Sequence, residues 1–577
     1  MTAAPRPTTC VLGRLGGGRV VLCEIGGDGE HGPRQEFDEE RLAEVVAGHE
    51  AAGTPRWVWS DTATWYPGLL AAGVRVERCH DLRLVHTILQ HAAAVTDGAA
   101  LRAATAWETG PVVPAEGRPP AATLFDVAPA AGSAVPHDLE QTLAEHARQQ
   151  AAIASAADPS PLRLLAAAES AGGLVAAELQ AAGMPWDVVE HDRILAEQLG
   201  PRPGHGQPPA RMVEVGAQVR TALGDPMLSL DSPPRVLKAL RRAGIDVSST
   251  SQWELAEHDH PVIEPLLRYK KLSRLLTANG WAWIDEWVHE GRYRPVYLPG
   301  GVVTGRWASN GGGALQIPRQ LRPALRADPG WMLVGADVSQ LEPRVLAAMA
   351  GDRAMADAGR GKDLYSGIVE AGVVATRAEA KVAVLGALYG STTGDAGRLV
   401  PRLRRTFPRA MALVDEAAAT GERGGTVHTW LGRTSPPPGP EWAAVQTRGG
   451  VVDATTADEE RARRAGRDRG RFTRNFVVQG TAAEWALAWL ADLRLRLSRI
   501  APVPEEHAAT ASGPALGNRP HLAFFLHDEV IVHAPREHAE EAAQAVRDAA
   551  DAAGRLLFPG SPVDFPLDLT ITERSAK

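Results

Sequence analysis

The chain lacks the marks of several protein classes. No run of eighteen or more apolar residues occurs in its 577 residues, so a membrane-spanning helix is not expected. The start, Met1-Thr-Ala-Ala-Pro-Arg-Pro, has no apolar stretch, so no secretory signal is expected. There are only three cysteines, Cys10, Cys23 and Cys79, and no Cys-x-x-Cys. This argues against a disulfide framework or a structural zinc site. Taken together, these absences point to a reducing cytoplasm. An excess of positive charge is also missing: the net charge is −8, so bulk composition does not advertise a nucleic-acid partner. No fixed-period repeat is present.

Hydrophobic content is 44% and charged content 23%, ordinary for a chain with a large core. The length suggests about three or four domains. Positive charge is local. From Gly291 to Ala327 there are six arginines and no acid, and from Arg461 to Arg474 seven arginines and one acid, Asp468. Such a run alone marks a solvated face; these two lie beside carboxylate-bearing segments. Residues 1 to about 108 alternate short apolar runs with helical patterns, as in a small α/β domain. Thr109 to Pro136 is rich in Pro, Ala and Gly and reads as a loop. Helical patterns fill Leu139 to Leu199 and Leu228 to Trp287, give way to strand and loop after Tyr293, and resume from Leu346 to about Gly470. Gln479 to Ile500 reads as one long helix, Glu505 to Pro520 as a polar loop, and His521 to Leu526 as a strand.

Two carboxylate segments carry the chemistry. In the first, an apolar strand from Trp331 delivers Asp337 to one end. In the second, His527-Asp528 lies between two apolar runs and reads as a hairpin tip. Carboxylates from two separate segments suit a two-metal site, where one ion lowers the pKa of an attacking hydroxyl and the other stabilises a leaving oxygen. Magnesium takes oxygen ligands and shares itself with phosphates, so two Mg²⁺ ions are expected, with Mn²⁺ as a substitute. Between the segments, Arg377, Lys381, Leu385 and Tyr389 recur every fourth residue on one helical stripe about 18 Å long. Such a helix can hold a triphosphate at its Arg end and a base near its Tyr end.

At this point the sequence resembles the family A DNA polymerases of the bacterial DNA polymerase I type. Their DYSQIELR motif matches Asp337-Val-Ser-Gln-Leu-Glu-Pro-Arg344, and their R-x3-K-x7-YG helix matches Arg377, Lys381, Tyr389 and Gly390. Their HDE matches His527-Asp528-Glu529. Thr304-Gly305-Arg306 with Leu315-Gln316-Ile317-Pro318, His428 to Arg433, and Asn475-Phe-Val-Val-Gln479 are similar to further family segments. The likeness runs from about Glu169 to the C-terminus.

The resemblance implies an α+β, multidomain fold. An RNase H-like, exonuclease-like α/β domain (residues 1–160) would precede a right-hand polymerase (161–577). The thumb would span about 173–291, the palm about 292–350 and 475–577, and the fingers about 351–474. It also implies roles. Asp337 and Asp528 would be metal ligands, with Glu529 nearby. Arg377 and Lys381 would hold the triphosphate, with Lys381 placed to protonate pyrophosphate. Tyr389 would stack at the insertion site, Gln340 and Leu385 would border the nucleotide, and Glu342 would crowd a 2′-hydroxyl. Arg306, Asn475, Gln479 and His527 would read the minor groove or primer end, and Arg471 the backbone. The expected partners are primer–template DNA and dNTPs, and the expected setting is the cytoplasmic nucleoid, in repair or replication.

The chain departs from the pattern in places. Leu385 stands where the family has Phe or Tyr, Val338 replaces Tyr, and Pro343 replaces Leu. The segment at Leu315 is one residue short. In the N-terminal region, alignment on Gly73 puts Trp65 where a DEDD-type exonuclease has a catalytic Asp. The strand ending near Cys23-Glu24 lacks Asp-x-Glu (Asp28-Gly-Glu30 falls in a Gly-rich turn), and no Tyr-x3-Asp appears near Glu140 to Arg148. A degenerate exonuclease domain is therefore expected, and the start is too late for a separate 5′ nuclease. Two rival readings are a bifunctional nuclease–polymerase and a non-catalytic DNA-binding scaffold.

Overall fold

The computed structural model describes residues 9–27, 29–108, 135–204, 206–310, 313, 317–390 and 394–575. Asp28, Leu315, Gln316 and most of the stretch after Thr109 lie outside the described residues. The chain divides into two compact units. The first comprises Met1–Gly183, Val296–Asn310 and Pro329–Ile571, and the second Met184–Pro295, Gly311–Asp328 and Thr572–Lys577.

In the first unit, apolar runs form β1 (Thr9–Leu15), β2 (Arg19–Ile25), β3 (His31–Asp38), β4 (Arg56–Trp59) and β5 (Arg78–Asp81). Their order is β3-β2-β1-β4-β5. β1 is antiparallel to β2 and parallel to β4, and β4 is parallel to β5. Alternation sends Cys10, Leu12, Val20, Leu22, Trp57 and Trp59 to one face, where they pack on α1 (Leu42–Gly53) and α2 (Thr62–Ala71). Val11, Val21, Cys23 and Val58 go to the other face, against Leu139 and Leu143 of the helix Leu139–Ala154.

Helix α3 (Ser160–Ala182) ties this sheet to the rest of the unit through a buried ionic cluster. Glu178 accepts from Arg75 Nε and Arg494 Nε, both at 2.9 Å, and from Tyr66 Oη at 2.7 Å. Burial opposes ionisation of Glu178, but the two guanidinium groups outweigh it and hold the carboxyl down at about 2.

The second sheet contains β6 (Trp331–Val338), β7 (His521–Leu526), β8 (Glu529–Pro535) and β9 (Leu567–Thr572), in the order β7-β8-β6-β9. α4 (Leu341–Ala350) follows β6 at once, and Ser339 N–H donates to Pro566 O at 3.0 Å in that turn. Among the described residues six helices lie between Arg353 and Gly449, including α5 (Arg377–Tyr389); the first five share a core around Leu346, Phe407 and Val414, while Pro440–Gly449 has no buried residue. α6 (Thr456–Arg499), about 66 Å long, starts at a Thr455/Asp458 capping box; its buried residues concentrate after Gly470, including Trp485, Trp489 and Leu493. α7 (Ala539–Leu557) packs beside it, with Val546 O accepting from Trp489 Nε1 at 3.1 Å.

The second unit is mainly helical, with helices such as Val188–Leu199 and Ile263–Asn279 and a small sheet of Met184–Pro185, Val288–His289 and Arg292–Tyr293. Trp186, His191, Trp283 and Tyr293 form its aromatic core. His191 is neutral there: Nδ1 accepts from Trp186 Nε1 at 3.1 Å, leaving Nε2–H for Asn279 O at 2.9 Å. Burial pushes its pKa down to about 4.

Candidate active site

Strand pairing brings the two carboxylate segments together. β6 lies antiparallel to β8 with Asp337 opposite Glu529, and Val338 N–H donates to Asp528 O at 2.9 Å. His527 and Asp528 form the two-residue link between β7 and β8, as the sequence pattern predicts. His527 takes a left-handed backbone (φ 54°), and so does Gln340 (φ 52°), where β6 turns into α4. Two of the four non-glycine residues with positive φ among the described residues therefore sit here, the kind of local strain that surrounding structure must hold.

The Asp337 side chain faces solvent and Asp528 is half-buried. Desolvation, then the negative charge of Asp337, pushes Asp528 up to about 7. Desolvation, then the charge of Arg306, pulls His527 down to about 4, although the residue as a whole is exposed. Two carboxylates that raise each other's cost of ionisation, and that offer only hard oxygen donors, fit a divalent cation such as Mg²⁺.

A cavity of about 270 Å³ opens beside this pair. Arg306, Gln340, Glu342, Leu385, Tyr389 and His527 line it together with Asp528. Glu342 is the hub, forming an ion pair with Arg306 and accepting from Tyr389 Oη at 3.0 Å. Burial, then the Glu342 charge, pushes the Tyr389 phenol up to about 12, so it stays a donor. Helix α5 is fixed at both ends. Thr376 and Glu379 form a capping box, and Gly390 closes the helix at φ 70° with the Arg471 side chain 2.8 Å from where a Cβ would stand.

The other expected residues surround this cavity without lining it. Arg377 and Lys381 are exposed on the earlier turns of α5. Arg377 pairs with Asp363 at 2.8 Å. On α6, Arg471 is exposed and paired with Asp468, Asn475 is half-buried, and Gln479 Oε1 accepts from Thr304 Oγ1 at 2.9 Å. Four residues escaped the sequence reading. Asp363 accepts from Gln340 Nε2 at 3.0 Å as well as from Arg377, joining the turn before α4 to α5. Tyr365, Trp307 and Phe525 complete the apolar wall. Asp363 also caps the helix Leu364–Glu370 through Ser366 N–H at 2.7 Å, and that Asp-x-x-Ser pattern was the only signal it offered.

The N-terminal sheet shows a different arrangement. The strand at its centre, beside β4, is β1 and not the strand ending at Glu24, because β2 pairs outward with β3. β1 reads Thr-Cys-Val-Leu-Gly-Arg-Leu and carries no carboxylate. Trp65 is buried, donates to Ser60 Oγ at 3.0 Å, and lies under the Arg14 guanidinium, 5.1 Å from its ring centroid. Asp61 and Asp81 are buried helix caps, accepting from Ala63 N–H at 3.2 Å and Leu84 N–H at 2.9 Å, and Arg83 pairs with Asp61 at 3.1 Å. Desolvation, then Asp61, pushes Asp81 up to about 6.

A sheet that presents paired carboxylates beside a cation-bearing helix has the groups needed to hold a divalent ion and a polyphosphate. Residues 217–572 match the model of DNA polymerase family A, and the chain belongs to that family. It is 30% identical over 349 residues to DNA polymerase I of Chloroflexus aurantiacus, covering 56% of this chain and 33% of that protein. It is 26% identical over 349 residues to the thermostable DNA polymerase I of Thermus aquaticus, covering 55% and 37%. The matched stretch thus spans about a third of the length of these relatives. Among solved structures, the POL domain of Pol1 from M. smegmatis, in complex with DNA primer-template and dNTP, superposes with a TM-score of 0.65 at 16% identity, covering 99% of this chain and 96% of that one. No helix among the described residues is long and apolar enough to cross a membrane.

Proposed function

We propose that this protein is a template-directed DNA polymerase that adds dNTPs to a primer 3′-hydroxyl. The observation that carries the reading is the convergence of Asp337 and Asp528 beside the cavity bounded by Glu342, Leu385 and Tyr389. The hydroxyl oxygen attacks the α-phosphorus, a new P–O bond forms, and the bond to pyrophosphate breaks. Asp337 and Asp528 would hold two Mg²⁺ ions, which when bound activate the hydroxyl and stabilise the leaving oxygen. Lys381 and Arg377 meet the triphosphate from α5, and Lys381 is the proton donor to pyrophosphate. Tyr389 stacks at the insertion site. Glu342, held by Arg306, stands where a 2′-hydroxyl would enter. Arg306, Asn475, Gln479 and His527 contact the minor groove or primer end, and Arg471 the backbone, without sequence preference. To meet phosphate, Arg377 exchanges its pairing with Asp363 for the triphosphate. The N-terminal sheet is a relic of an exonuclease. Asp61 and Asp81 cap helices, and the place of a catalytic Asp is taken by Trp65 under Arg14, so among the described residues this sheet offers no free carboxylate pair for two metals. The setting we propose is repair or replication at the bacterial nucleoid.

Primer extension with Mg²⁺ and dNTPs tests this, run beside Asp528→Ala and a lane without dNTPs. The expected result is extension by the wild type, none by the variant, and no primer shortening. Shortening that survives Asp528→Ala would restore the nuclease reading, and DNA binding without extension would favour a scaffold.

A further inference from the structure

A second cluster of metal-ligating side chains lies on the N-terminal sheet, built from three elements far apart in sequence. Cys10 of β1 and Glu24 of β2 are register partners, so their side chains share one face. His49, in the last turns of α1, closes over the same edge. One Sγ, one carboxylate oxygen and one imidazole nitrogen all lie within 4.8 Å of one another. The imidazole is already oriented. Its Nδ1 donates to Val45 O at 2.9 Å, which turns Nε2 toward Glu24 Oε1, 3.2 Å away. A ring whose second nitrogen is anchored on a backbone carbonyl is the usual setting of a metal-bound histidine. The N···O separation matches two ligands on one tetrahedral ion, which stand about 3.3 Å apart when each bond is about 2.0 Å. Cys10 is fully buried, while the Glu24 and His49 side chains are 48% and 26% exposed, so the edge is open for an ion to enter and for water to take a fourth position.

We propose that Cys10, Glu24 and His49 bind a borderline divalent transition ion such as Zn²⁺, clamping the first two strands to α1. Sulfur and nitrogen donors select such an ion over Mg²⁺, which suits the all-oxygen Asp337/Asp528 pair instead. On binding, the thiol proton leaves to water as the S–metal bond forms. The absence of Cys-x-x-Cys does not bear on this site, because strand register rather than chain spacing gathers the ligands.

The test is titration of the full, reduced chain with Co²⁺ in millimolar Mg²⁺, followed by thiolate-to-cobalt charge-transfer absorption and displacement by Zn²⁺. One ion per chain is expected. The band should vanish in Cys10→Ser, persist in Cys23→Ser and persist in Asp528→Ala, which separates this site from the proposed polymerase centre. Glu24→Gln and His49→Gln alter solvent-facing groups that leave the core intact, so they keep the test open if Cys10→Ser does not fold. Each should weaken binding at least about tenfold. No charge-transfer band, or binding unchanged in both of these variants, overturns the proposal.

Discussion

Removing one charge from the carboxylate pair should stabilise the metal-free protein, with a pH dependence that identifies the cause. Asp528 titrates near 7 in the fold against an ordinary 3.8, because of desolvation and the neighbouring Asp337. A gap of about three pH units at about 1.4 kcal/mol each sets an upper limit of about 4 kcal/mol. Asp528 keeps some solvent contact, and screening reduces this to about 2 kcal/mol. The native state holds this proton more tightly than the unfolded chain does. The penalty is therefore absent below about pH 4, grows as the pH rises from 4 to 7, and is complete above 7. Asp528→Asn removes it. In urea unfolding with EDTA, the variant's stability advantage should rise by about 1 kcal/mol between pH 5 and pH 8. At pH 8, Mg²⁺ should stabilise the wild type and have little effect on the variant. An advantage that stays flat with pH, or equal stabilisation of both proteins by Mg²⁺, would refute the reasoning that the two carboxylates repel and share a cation.

Glu342→Ala removes the partner of both Arg306 and Tyr389, and ribonucleotide incorporation relative to deoxyribonucleotide should rise at least about tenfold in single-nucleotide kinetics, about 1.4 kcal/mol. Lys381→Ala should lower kcat more than it raises KM, whereas Arg377→Ala should mainly raise KM for dNTP, because only the lysine is assigned a proton in the transition state; steady-state kinetics on one primer separates them. Glu178→Gln leaves Arg75 and Arg494 buried without their carboxylate and should cost about 3 kcal/mol at pH 7 by urea unfolding. The Glu178 carboxyl is depressed to about 2, so its stabilising effect is complete above about pH 4.5 and is lost only as the pH falls through 2.

The elements around the candidate site were legible because each carries its own pattern. Asp337 ends an apolar run, His527-Asp528 interrupts one, and the α5 cations recur every fourth residue. The contacts that shape the cavity were not legible. Nothing near Asp363 in the chain announces that it joins Gln340 to Arg377, since those partners come from the turn before α4 and from α5. The N-terminal sheet shows the same division. The lack of an Asp-x-Glu was readable, but which strand occupies the centre was not, because both β1 and β2 are apolar runs and only pairing with β4 distinguishes them.

Sequence by itself thus determined the ordered motifs, the family resemblance, and the residue types available for phosphate and metal. These depend on spacings within single helices and strands, which backbone periodicity dictates. Tertiary structure alone decided that Glu342 holds both Arg306 and Tyr389, that Arg83 pairs with Asp61, and that Cys10, Glu24 and His49 meet. Strand register and helix packing set those contacts. They join residues tens of positions apart, and no local pattern encodes such a distance.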